Sequence, residues 1–337
     1  MAAYGLQTQI WNNNLRSGLL LAGFPLLLTG LLFGLTVLFQ AMTNDRADVQ
    51  SSLIAAGIAL PSILPLALIG AGIWFGIAFF AHQAMIDLST GAKKVSRTDN
   101  PELYNLLENL CIARGMSMPE LRIINTPVRN AYASGIREKS MSVTLTSGLI
   151  ETLNKAELEA VIAHELTHIR NRDVRLLVIA IIFVGIFSFA GEIMFRGMFR
   201  VNLPRTNAYR RAGGGNSGAL VLIAFLIVGV TWFLAVLVRF SISRKREFLA
   251  DAGSVELTRN PNAMISALQK ISGHSDLSAP PDVRQMCIEN AASGGFGGLF
   301  ATHPPMEKRI AALVMMGGKI KAELSRPKSG PKSGPWG

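Results

Sequence analysis

The sequence predicts a mainly α, multi-pass membrane protein whose polar α+β part is split in two by a transmembrane hairpin. Three observations carry this. Half of the 337 residues are hydrophobic and only 16% are charged. An ordinary soluble domain carries about 25% charged residues, so lipid forms part of the solvent. Four long apolar runs stand out, roughly Gly18 to Phe39, Leu53 to Phe80, Leu176 to Phe195 and Ala219 to Val238. A spanning helix needs about 20 apolar residues. Two polar segments, 82–173 and 241–324, lie after the second and fourth runs.

Taken in order, residues 1–16 are mostly polar and the apolar run after them is too long for a signal core, so no cleaved signal peptide is expected. Residues 17–81 form the first membrane hairpin. Pro61 and Pro65 predict a kink or a delayed start in its second helix. In segment 82–173, a helix is expected over 99–115, opened by Asp99-Asn100-Pro101. Strands are expected at Leu121–Ile124, Asn130–Ile136 and Ser142–Leu145, with a turn around Arg137 to Ser140. Asn154 then caps a helix, with Glu157 completing a capping box. Leu158, Val161, Ile162, Leu166 and Ile169 give that helix an apolar face.

Residues 174–240 hold the second hairpin. Its third run is marginal because Glu192 interrupts it, and a basic loop at 196–217 joins its halves. Segment 241–324 is mostly helical by pattern, and 325–337, with its repeated Pro-Lys-Ser-Gly, is expected to be a disordered tail.

The net charge is +11. Basic residues such as Arg239, Arg244, Lys245 and Arg246 flank the apolar runs with no nucleic-acid motif beside them. They read as contacts with the lipid bilayer, not with nucleic acid. Cys111 and Cys287 lie far apart and imply neither a disulfide framework nor a thiolate metal site.

The chemistry centres on His164-Glu165-Leu166-Thr167-His168. Two histidines one helical turn apart project from one face and can grip one zinc ion. Glu165 lies about 100° around the helix from His164. It can flank the metal without ligating it, as a general base must. This five-residue pattern arises by chance in about one per cent of chains this long, so it needs support. Catalytic zinc wants a third protein ligand, and Glu247 is the candidate. Asp251, one turn on, is placed to accept the ring N–H of a ligating histidine. Taken alone, the segment around Glu247 is also what a solvated juxtamembrane helix looks like. Topology adds a constraint: Glu247 reaches the histidines only if the chain between them crosses the membrane an even number of times. Runs three and four supply two crossings, or none if both are re-entrant.

At these residues the chain resembles the HtpX-type membrane zinc metallopeptidases, which are related to the CAAX prenyl endopeptidases. The resemblance covers about residues 15 to 315. It rests on Asn130 to Gly135, Glu157 to Ile169, Ser243 to Asp251, and Thr302-His303-Pro304-Pro305 with Arg309 and Ile310. It implies a zincin-like (gluzincin) α+β catalytic domain and a zinc metalloendopeptidase holding one Zn2+ per chain. His164, His168 and Glu247 are then its ligands, Glu165 its base and Asp251 the carboxylate that orients a ligand histidine. It further implies that Asn130 and Ala131 hold the substrate main chain by strand addition and that His303 steadies the oxyanion, although His303 alone reads as a helix-entry residue. Arg309 matches without an assigned role, and His82 and His274 match nothing.

The resemblance also implies peptide or protein substrates, membrane or misfolded proteins in quality control. It places the enzyme in a bacterial inner (plasma) membrane with the active site facing the cytoplasm. Loop 196–217, with five arginines against one in Met42 to Ser51, runs against the positive-inside rule for that orientation. Competing readings are a maturation peptidase for one membrane-tethered substrate, and a non-catalytic scaffold or transporter. Glu192 is the one run-embedded charge that would serve a transport path.

Overall fold

The structure is a computed structural model describing residues 6–43, 48–181, 217–240, 245–272, 274–275, 286–288 and 304–319. It is mostly helical with one small sheet. The chain folds as two compact units, one of residues 1–85 with 171–243 and the other of residues 86–170 with 244–337.

The first unit contains α1 (Leu6–Thr43), most of α2 (Val49–Thr90), a helical stretch over 173–181 and α6 (Ser217–Phe240). Among the described residues, two helices are long and apolar enough to cross a membrane, over Trp11–Gln40 and Val49–Thr90, and Ala219–Thr231 is a shorter apolar piece. Leu26, Ile58, Leu66 and Phe80 all stand exposed on α1 and α2. Such apolar surface is stable where hydrocarbon covers it.

The expected delay at the prolines does not occur. α2 starts at Val49, where the Asp48 carboxylate accepts from the Ser51 amide at 2.9 Å, and runs through Pro61 and Pro65. α1 packs closely along α6, with Gly30 facing Thr231 and Gly34 facing Val228; a Cβ at Gly34 would stand 2.7 Å from Val228 Cγ2. Small residues permit such approach between apolar helices. Asn13 ties α1 to the start of the 173–181 stretch, donating to Asn171 O at 2.9 Å and Asp173 Oδ1 at 2.7 Å. The rest of the third run and the basic loop lie outside the described residues.

The second unit holds a four-stranded sheet of β1 (Lys93–Lys94), β2 (Glu120–Ile124), β3 (Ala131–Ser134) and β4 (Ser142–Thr146), in the order β1-β2-β4-β3. β2 and β4 are parallel and the other pairs antiparallel, which puts β3 at one end of the ladder. A 3-10 turn at Glu138–Ser140 occupies the expected turn.

Helix α3 (Pro101–Arg114) opens where expected, with the Asn100 side chain accepting from the Leu103 amide. It closes on Gly115 at φ 64, a left-handed position that suits glycine. Two short elements carried no sequence signal: β1, and α4 (Ser147–Thr152), capped by Thr146.

α5 (Lys155–Arg170) begins with the expected capping box. Asn154 N donates to Glu157 Oε2 at 2.9 Å, and Glu157 N donates to Asn154 Oδ1 at 3.0 Å. α5 is more than amphipathic: every residue from Ala160 to Ile169 is buried. It packs on β3 and β4 and also against α3, α7 (Lys245–Thr258) and α8 (Pro261–Ile271). α9 (Met306–Met315) packs on α7 and α8.

Candidate metal centre

Polar groups on a helix buried all round need partners. Those of α5 meet residues that follow the second hairpin in sequence. α7 lies beside α5 so closely that a Cβ on Gly253 would stand 2.5 Å from Thr167 Cγ2. Ser254 Oγ donates to Ala160 O at 2.6 Å. This contact brings Glu247 and Asp251, one turn apart on α7, to His164 and His168.

His164 Nε2 stands 3.2 Å from His168 Nε2 and 3.8 Å from Glu247 Oε2, while His168 Nε2 stands 3.7 Å from Glu247 Oε1. The three donor atoms lie within 4.8 Å of one another. Ligand atoms about 2.0–2.1 Å from a tetrahedral zinc stand about 3.3 Å apart, so the set fits one ion with little adjustment. No other such cluster occurs among the described residues.

The protonation states suit metal binding. Burial pulls the His164 pKa down to about 4 despite the neighbouring Asp251 carboxylate, so the ring is neutral. Its Nδ1 lies 3.0 Å from Asp251 Oδ1, which places the proton there and leaves the Nε2 lone pair directed at the cluster. Asp251 itself is held by Arg309, whose Nε and Nη2 donate to its two oxygens at 2.9 and 2.6 Å. Burial would raise the Asp251 pKa, but the guanidinium overrides it and keeps the carboxyl at about 2. Both side chains are fully buried. Arg309 also donates through Nη1 to Ile288 O at 2.9 Å.

Glu165 is buried beside this set, and burial pushes its carboxyl up to about 7, with the Glu247 carboxylate pushing the same way and His168 opposing. The Ala133 amide of β3 also lowers it. A carboxyl poised near neutrality is suited to taking up and returning a proton.

Among the residues singled out from the sequence, His164, Glu165, His168, Glu247 and Asp251 thus come together. Asn130 is buried next to β3, but its side chain is committed within the fold: Nδ2 donates to Ser275 O at 2.8 Å and Oδ1 accepts from Ala131 N at 2.9 Å. Ala131 opens β3, and its carbonyl accepts from the Ile288 amide at 2.8 Å. His303 lies outside the described residues. His82 sits in α2, its Nδ1 at 2.9 Å from Phe79 O, and His274 caps the chain after α8; neither belongs to the cluster. Arg309 is the residue whose part the sequence left blank. A basic side chain in a short helix after Pro304-Pro305 gives no hint that its partner is an aspartate on another helix.

The sequence model of peptidase family M48 matches residues 97–316, which include every residue of the cluster. The chain belongs to peptidase family M48. A protease HtpX homolog of Bacteroides fragilis is 45% identical over 323 residues, spanning 93% of this chain and 99% of its own. HtpX homologs of Dictyoglomus thermophilum and Streptococcus pneumoniae are each 35% identical over 257 residues. They span 73% and 75% of this chain, and 80% and 86% of their own lengths. Among solved structures, Ste24p of S. mikatae aligns with a TM-score of 0.43 at 18% identity, over 91% of this chain and 67% of its own. As a member of M48, a family of zinc metallopeptidases, the protein is a membrane-associated metalloprotease acting on peptide bonds.

Proposed function

We propose that His164, His168 and Glu247 hold a single zinc ion and that the enzyme is an endopeptidase of membrane or misfolded proteins, serving quality control. The convergence of three donor atoms within 4.8 Å, one of them backed by Asp251, carries this reading. Zinc bound there supplies the Lewis acidity that makes water nucleophilic near neutral pH.

The chain's own residues do the rest. Glu165 accepts the proton as water attacks the scissile carbonyl and returns it to the leaving amine. Asp251 fixes the tautomer and angle of the His164 ring, and Arg309 fixes Asp251. Asn130 and Ala131 present the strand along which the substrate main chain lies. His303 assists the oxyanion.

The two membrane-long helices and the apolar α6 support a multi-pass arrangement, with catalytic segments 82–173 and 241–324 on one side of a bacterial inner membrane. We assign that side to the cytoplasm.

The test is metal analysis of the purified full-length chain together with casein digestion. About one zinc per chain is expected. Glu165→Gln should retain the zinc and lose at least about a hundredfold in cleavage. Full activity in that variant would remove the general-base role.

A further inference from the structure

Which groups of β3 face its outer edge follows from its pairing with β4. Thr146 N donates to Asn130 O at 3.1 Å, so even-numbered residues of this strand turn their main-chain groups toward β4. Ala131 and Ala133 therefore turn theirs outward. α5 packs on β3, which sets this strand beside the helix that carries Glu165. The outward carbonyl of Ala131 is already taken. Ile288 N donates to it at 2.8 Å, and Tyr132 and Cys287 face each other as an isolated antiparallel bridge. The Ile288 carbonyl is in turn anchored by Arg309 Nη1 at 2.9 Å. Met286, Cys287 and Ile288 are all buried.

We propose that Met286–Ile288 is an internal strap lying where a substrate main chain would pair, so that the resting enzyme is self-occluded and the strap must leave Ala131 before a peptide can dock. This rests on the reading of Asn130–Ala131 as the substrate-holding strand. One main-chain acceptor cannot serve two strands in the same position, so strap and substrate compete. Competition raises the apparent KM by the factor by which the open state is depleted. The strap is also reversible in principle. Among the described residues its main chain is bonded to Ala131 and to Arg309, and a substrate strand offers Ala131 an equivalent donor. Because Arg309 grips both the strap and Asp251, departure of the strap leaves the His164 support in place.

The experiment uses the zinc-loaded full-length enzyme in detergent and a quenched fluorescent peptide. Ile288→Pro removes the donor to Ala131, and Ile288→Ala, which keeps the N–H, controls for the lost side chain. The expected result is a KM about two- to tenfold lower in the proline variant than in the alanine variant, with kcat the same. An equal or higher KM overturns the strap.

Amide hydrogen exchange on the unmodified enzyme gives a second reading should the proline variant fold poorly. A peptide hydroxamate inhibitor should speed exchange at Ile288, and continued slow exchange there with inhibitor bound overturns the proposal. An N-methylated copy of that inhibitor, unable to donate to Ala131, separates the two ideas. Equal affinity removes strand addition itself and the strap with it. Weaker affinity combined with a still-protected Ile288 removes the strap alone.

Discussion

Replacing Arg309 by methionine removes a guanidinium that makes two hydrogen bonds to Asp251, at 2.9 and 2.6 Å, in a site where neither side chain reaches solvent. Among the described residues, the carboxylate left behind keeps the neutral His164 ring as its polar neighbour. Breaking one side of a buried pair typically costs about 3–5 kcal/mol, because an uncompensated charge stays inside. At about 2–4 °C per kcal/mol for a unit of this size, the melting temperature should fall by roughly 6–20 °C. Asp251→Asn removes the opposite charge, and the double variant should recover much of the loss. A double-mutant cycle read by thermal unfolding in detergent should therefore show a coupling of at least about 2 kcal/mol. Zinc affinity in Arg309→Met should also drop about 10–100-fold, since the orienting carboxylate is no longer held. A coupling below about 0.5 kcal/mol, with zinc affinity unchanged, would refute the chain of support from Arg309 through Asp251 to His164.

Glu247→Ala should leave two of the three ligands and reduce the bound metal to well below one zinc per chain after dialysis, measured by metal analysis. Gly253→Ala pushes a methyl group to 2.5 Å from Thr167 and should destabilise by about 1–3 kcal/mol. Thr167→Ala in the same chain should recover part of this in thermal unfolding, because it removes the atoms the methyl meets. Lys270→Met deprives the buried Glu157 of its partner at 2.7 Å. Burial raises the Glu157 pKa, but hydrogen bonds from Lys270 and Ser266 bring it below its ordinary 4.5, so its contribution to stability is complete above that pH and fades as pH falls below it. The melting-temperature advantage of the unmodified protein over Lys270→Met should accordingly be constant near neutrality and shrink below about pH 4.5.

The parts of the fold that local chemistry dictates were open to reading from the sequence. The Asn154–Glu157 box and the Asn100-Pro101 opening of α3 each encode their own geometry within a few residues. β1 was not readable: two exposed lysines form a strand only because β2 lies beside them. Of the kink or delayed start expected at Pro61 and Pro65, the delay does not occur, because proline rules written for water weigh less where neighbouring groups and lipid replace it. At the site, the histidine spacing pointed to a metal and Asp251 followed from Glu247 by helical period, while Glu247 itself rested on the resemblance. The occupied edge of β3 could not have been foreseen. Nothing in Met286-Cys287-Ile288 marks it as a partner for Ala131, since main-chain pairing leaves little trace in side-chain identity. Arg309 was hidden for the same kind of reason, as its meaning lies in a partner on a different helix.

The second unit is assembled from two stretches of chain, with 171–243 between them. During synthesis both histidines leave the ribosome long before Glu247 and Arg309 exist. On the proposed ligand set, a nascent chain halted anywhere in that interval carries two of the three zinc ligands. Cleavage that depends on this ligand set would then wait until the later apolar run has been made.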